Sequence, residues 1–219
     1  METVIKLIAE LTIAGQELDG VLIGSDHIDI NRVAAELASR GEDELVKSLI
    51  DKGATDFDEI AVGAAKGGHH GLVSYLIDRG ATDYDSIAVY AAKGGYRGLV
   101  DYLIDKGATN YSTIASFAAV GRYRDLVDSL LERGASDYGL IAAGAAIGGD
   151  LNLIVELDKR GPVDYNLIAH GAAKRGYSDP IRWLLAEHSD QFDIEFATDT
   201  AVESGHIQLA ELLRHHLLN

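Results

Sequence analysis

The chain has 219 residues, 19 bases against 35 acids for a net charge of −16, no cysteine and 2 prolines. The missing cysteine excludes disulfides and thiolate metal sites, and the acidic balance argues against nucleic acid or an anionic membrane as partner over most of the surface. The charge is uneven: residues 1–60 hold 14 acids against 5 bases and 161–219 hold 9 against 4, while 61–160 hold 12 against 10, so acidic ends flank a near-neutral middle.

Residues 1–25 place Val4, Ile5, Ile8 and Leu11 at helical spacing, which predicts an N-terminal helical cap. Glu2, Lys6 and Glu10 interrupt its apolar pattern, which argues against a signal peptide, and no run is long enough to span a membrane. A cytoplasmic, intracellular location is expected. Beyond this stretch one text recurs, and its glycines at 53, 80, 107, 134 and 161 are 27 residues apart. A fixed period of this size marks a helical solenoid. Residues 26–52 are a degenerate first copy, 53–79, 80–106, 107–133 and 134–160 are clean copies, and 161–188 drifts at Pro180, Trp183 and His188. Residues 189–219 read as a C-terminal capping repeat, since a terminal unit faces water on one side.

Counting each repeat from its leading glycine, position 4 is Asp56, Asp83, Asn110, Asp137 and Asp164, all good helix N-caps. Asp56 and Glu59 have the spacing of a capping box. Position 5 is always a ring, Phe57, Tyr84, Tyr111, Tyr138 and Tyr165, and predicts a stacked aromatic ladder. Small residues such as Ala88, Ala91 and Ala92 follow on one helix face. A glycine turn then leads to a second helix with the stripe Leu99, Val100, Leu103 and Ile104. That helix ends on a base, Lys52, Arg79, Lys106, Arg133 or Arg160, which complements its negative C-terminus. The next glycine stands where a left-handed residue closes a helix.

The text resembles the ankyrin repeat family. Ala64, Ala65, Gly68, His69, Leu72, Val73, Leu76, Ile77, Gly80 and Ala81 fit its A-A-x-x-G-[HY]-x-x-[LV]-V-x-x-L-[LI]-x-x-G-A wording, over roughly residues 26–188 and again near Ser204–Leu213. Two departures stand out. The family period is about 33 residues, and the residues missing here are those that build its β-turn fingers. The T-P-L-H motif is also replaced by Glu59-Ile60-Ala61-Val62 and its equivalents. The resemblance implies an all-α, ankyrin-like helical repeat solenoid with shortened or absent fingers. Its wording is similar to arrays of large DNA viruses and of intracellular bacteria that export them. That implies a non-enzymatic scaffold, of effector type, binding a host or companion protein.

Positions that vary within a constant framework are the expected recognition set. On the first helices these are Tyr90, Phe117 and His170, with Tyr90 and Phe117 at equivalent positions of neighbouring repeats. At the inter-helix turns they are Lys93, Tyr96, Arg97, Arg122, Tyr123 and Arg124, a basic edge interleaved with tyrosines that suits an anionic partner. Dipole complementation by the lysines that end the first helices is the plainer account of that edge. His69-His70 has no third metal ligand at a recognised spacing, and no phosphate-binding loop or nucleophile motif is present, so neither cofactor nor metal is expected. Two alternatives are a homodimer sealed by Tyr90 and Phe117, and an enzyme with a cleft around His170 or His69.

Overall fold

The computed structural model describes residues 29–217, so the expected N-terminal cap at residues 1–25 lies outside the described residues. Among the described residues there are fourteen helices and no strand. The chain forms two compact units, Met1–Ala108 and Thr109–Asn219. The first holds α1 (Ile30–Ser39), α2 (Asp43–Asp51), α3 (Phe57–Gly67), α4 (His70–Arg79), α5 (Tyr84–Lys93) and α6 (Arg97–Lys106). The second holds α7 (Tyr111–Val120), α8 (Arg124–Glu132), α9 (Tyr138–Gly148), α10 (Leu151–Arg160), α11 (Tyr165–Arg175), α12 (Ser178–Glu187), α13 (Ile194–Glu203) and α14 (Ile207–Leu217). Each repeat is therefore a helix–turn–helix followed by a short loop. The architecture is an all-α repeat of helix pairs, without β-turn fingers among the described residues.

The first helix of each repeat starts where the sequence places it. Asp29, Asp56, Asp83, Asn110, Asp137, Asp164 and Asp193 each accept a hydrogen bond from a backbone N–H of the first turn. Asp56 takes the N–H of Glu59 at 2.9 Å, but the reciprocal half of the capping box is not made. The Asp56 N–H is already held by Asn31 Oδ1 at 3.0 Å.

That Asn31 bond is one case of a joint the sequence reading did not foresee. The residue at position 6 reaches across to the loop of the next repeat and accepts its N–H groups. Asn31 holds Thr55 and Asp56, Asp58 holds Thr82 and Asp83 at 2.6 and 2.8 Å, Ser112 holds Ser136 and Asp137, and Asn166 holds Asp193. One side chain thus satisfies backbone donors that would otherwise be left in a tight loop. Position 6 of the repeat at 134 is Gly139, which has no acceptor to offer. The loop it faces is also changed, from Gly-Ala-Thr-Asp to Gly161-Pro162-Val163-Asp164. Gly161 is extended there, at φ 174°, where a left-handed residue was expected, because the residue before a proline is driven to extended backbone. The equivalent Gly53, Gly80, Gly107 and Gly134 do take positive φ, between 105° and 123°.

Two kinds of packing build the core. First helices stack on one another, α1 on α3 on α5 in the first unit and α7 on α9 on α11 on α13 in the second. Alanines such as Ala61, Ala64, Ala142 and Ala145 are fully buried between them. At the closest approaches only glycine fits. A Cβ on Gly63 or Gly67 would strike the carbonyl oxygen of Ala35 or Ser39, and one on Gly144 or Gly148 would strike that of Ser116 or Ala119. Second helices instead bury leucine and valine stripes, such as Leu72, Val73 and Leu76, against their own first helix. The expected aromatic ladder is not formed. Among the described residues no ring contact joins Phe57 to Tyr84 or Tyr138 to Tyr165. Phe57, Tyr84 and Tyr138 lie instead beside the glycine of the following loop, Gly80, Gly107 and Gly161.

Candidate functional site

In the first unit, the tip of α3 meets α5 through Lys66, whose Nζ lies 4.5 Å from the centre of the Tyr90 ring. Such a contact holds a half-buried ring in one orientation. Lys93 is exposed at the end of the same helix. Tyr96 is the N-cap residue of α6 and lies over Gly68 and Gly94, leaving 36% of its surface exposed. The neighbouring Arg97 is 3.8 Å from Asp101 on its own helix.

In the second unit, Phe117 is half-buried on α7. Arg122 occupies the following turn with φ 63°, a left-handed conformation that is glycine in the other turns. Tyr123 beside it is 40% exposed. Arg124 is drawn to the outer helices: it donates to Asp128 at 2.9 Å and to Glu156, which also accepts from Arg160 at 2.6 Å. The Arg124 hydrogen bond holds the Glu156 carboxyl below the usual carboxylate range, against the opposing effect of burial. Arg124 is thus a staple between α8 and α10. His170 lies two first helices away from Phe117, with α9 between. Its ring stacks on Phe196 at 5.5 Å, and its Nδ1 is 3.3 Å from Thr200 Oγ1.

His69, His70 and His206 are held in structural contacts. His69 Nε2 is 3.2 Å from the carbonyl of Ser39 and His206 Nε2 is 3.2 Å from that of Lys174, one repeat earlier in each case. His70 turns the other way and lies 4.7 Å from the Tyr102 ring. Among the described residues no three His, Asp or Glu side chains converge as a metal set. Where the 161–188 repeat drifts, Tyr165, Trp183 and His188 close into one aromatic cluster. Tyr165 donates to Asp158 at 2.8 Å. Burial, reinforced by that bond, pushes the Tyr165 hydroxyl up to about 12.

The first helices present positions 7, 10, 11 and 14 on one face, since these are one and two turns apart. In the first unit this face is charged: it carries Arg32 and Glu36 on α1, Glu59 and Lys66 on α3, and Lys93 on α5. Arg32, Glu36, Glu59 and Lys66 line a cleft of about 360 Å³ whose two acids and two bases balance. In the second unit the face is bare on α7 and α9. It reads Thr113, Ser116, Phe117, Val120 on α7 and Leu140, Ala143, Gly144, Ile147 on α9, without one charge. It continues through Leu167 and His170 on α11 to Phe196 on α13, where Lys174, Asp199 and Glu203 at positions 14, 10 and 14 bring charge back to it. Leu167 is 48% exposed and Phe196 52%. The sequence reading did not select Leu140, Leu167 and Phe196. The available signal was position 7, which changes from Arg32, Glu59, Ser86 and Thr113 to these three apolar residues along the chain.

No family model and no curated protein matches this sequence. Among solved structures, the chain is similar to the ankyrin repeat domain of human ASB11, at 18% identity and a TM-score of 0.48, over 82% of this chain and 96% of that one. Among the described residues no helix is long and apolar enough to cross a membrane.

Proposed function

We propose that the chain is a non-enzymatic scaffold that presents a preformed helical face to another protein. One observation carries the reading: the first-helix face of the second unit is uncharged along α7 and α9 and leaves Leu167 and Phe196 half open to water. Large apolar side chains exposed side by side on a framework locked by glycine–carbonyl contacts fit a binding surface. Phe117 and His170 belong to this face, with Arg122 and Tyr123 at its turn edge. Tyr90, with Lys93, Tyr96 and Arg97, is the corresponding set of the first unit. Arg124 acts on this set from behind, by fixing α8 against α10. Residues 26–188 are the binding array and 189–219 its C-terminal cap. The effector-type role, meeting a host or companion protein inside a cell, is the finer form of the reading and rests on the sequence resemblance alone.

The test is a pull-down with wild type and a Leu140→Asp/Leu167→Asp variant of equal helicity by circular dichroism. A partner held by wild type and released by the variant is the expected result. A partner held equally by both removes the face from the mechanism. A concentration-dependent mass in light scattering, with no partner captured, replaces the reading with that of a homodimer.

A further inference from the structure

We infer that the strip formed by Leu140, Leu167 and Phe196 receives a basic amphipathic segment of the partner, with Lys or Arg beside each apolar contact. The inference rests on the scaffold reading above and adds the chemistry of what is bound. The three residues sit at the same position of α9, α11 and α13, which stack in that order. Packed helices are about 8–10 Å apart, so the partner must present apolar side chains at that step. Every third residue of a polyproline-II strand does so at about 3.1 Å per residue, as does every seventh residue of a helix at about 1.5 Å per residue. The last anchor is positioned in advance, because the Phe196 ring lies nearly parallel to His170, at 19°.

Within one helical turn of each of these three residues the charged side chains are all acidic. The cap carboxylates of Asp137, Asp164 and Asp193 accept from the backbone N–H of Leu140, Leu167 and Phe196 respectively. Each layer therefore fixes one exposed carboxylate within a helical turn of one apolar residue. Each cap bond uses a single oxygen, Oδ1. Glu195 adds a fourth exposed carboxylate on α13. Among the described residues none of the four is in an ion pair. An acidic segment laid on the strip would face all four. A segment with bases next to its apolar residues would neutralise them in register, and the 9 acids against 4 bases of residues 161–219 would steer it there.

The experiment is selection of a displayed random 16-residue peptide library on the full chain at 50 mM salt, followed by affinity measurements with the enriched peptides. The expected outcome is enrichment of Lys/Arg-bearing peptides with apolar residues three or seven apart, binding better than scrambled peptides of the same charge. Leu167→Asp should weaken them at least about tenfold, in keeping with loss of an interface anchor. The triple change Asp137→Asn/Asp164→Asn/Asp193→Asn keeps each capping oxygen and removes only charge. It should weaken binding about fivefold to tenfold at 50 mM salt and much less at 500 mM, where the exposed charges are screened. Acidic or neutral winners, equal binding by the triple variant, or no enrichment at all would sink the inference. Winners of another composition that still depend on Leu167 would leave the scaffold reading standing. Winners indifferent to Leu140→Asp/Leu167→Asp would remove both.

Discussion

Arg122 is the non-glycine residue with positive φ among the described residues, and its neighbours explain how it is tolerated. In other repeats a ring at the start of the second helix lies over the turn glycine of the repeat before: His69 over Gly41, Tyr96 over Gly68, Tyr177 over Gly149, His206 over Gly176. Arg122 puts a Cβ where such a ring would rest, and the residue one repeat later is Asp150, which caps its helix instead. Arg122→Gly is expected to stabilise the protein by about 1 kcal/mol, by relieving left-handed strain. Asp150→Tyr should destabilise on its own and much less in the Arg122→Gly background, a coupling that thermal melts of the four proteins would read out. Gly139 yields a second residue-scale expectation. A Cβ there would make only ordinary contacts, with Asp137 Oδ1 at 3.6 Å and the Asp164 N and Pro162 carbonyl oxygen each at 3.7 Å. Gly139→Asp should restore the missing joint and raise the melting temperature by roughly 2–4 °C, the shift that about 1 kcal/mol produces in a protein of this size.

Helices obey two different limits, according to what they touch. Gly144→Ala on α9 would drive a methyl group into a backbone carbonyl of α7, and a loss of about 2–3 kcal/mol is expected. Gly98→Ala on α6 meets nothing, and should gain up to about 1 kcal/mol from helix propensity. Urea denaturation of the two variants separates the effects by sign. The α8–α10 staple has a pH signature. The folded carboxyl of Glu156 is depressed below its unfolded value of about 4.3. Its contribution is therefore present above that pH and is lost as pH falls through the folded value. Glu156→Gln should lower the urea midpoint at pH 7 by an amount worth less than about 1 kcal/mol, because the pair is a third exposed, and the gap should shrink as pH falls through the folded value. Helix ends and helix count were legible in the sequence because the caps and turn glycines act within a few residues of themselves. The joint at position 6 was not, because Asn31, Asp58, Ser112 and Asn166 do not keep one side-chain type and their partners are backbone groups some 24–27 residues away.

At the scale of the molecule, the candidate site was only half legible. Tyr90, Phe117 and His170 stand out because they break a repeated text, and each lies on a first helix. The pairing of Arg124 was not legible, because Glu156 is 32 residues away with nothing in the spacing to announce it. The strip at Leu140, Leu167 and Phe196 was passed over because single apolar residues at a helix start look like ordinary core until their exposure is known. The joint at position 6 also bears on how such a chain lengthens. A copy such as 53–79 carries the acceptor for the copy after it and the donors for the copy before it. A duplicated segment therefore arrives with both halves of its connections. A tandem duplication of residues 53–79 is expected to yield a protein that melts cooperatively at or above the wild-type temperature. A duplication of 134–160 should fare worse, because its outgoing side is Gly139. The sequence around Pro162 would then mark where exchange of whole copies stops being neutral, and unequal recombination would be tolerated on either side of that junction more readily than across it.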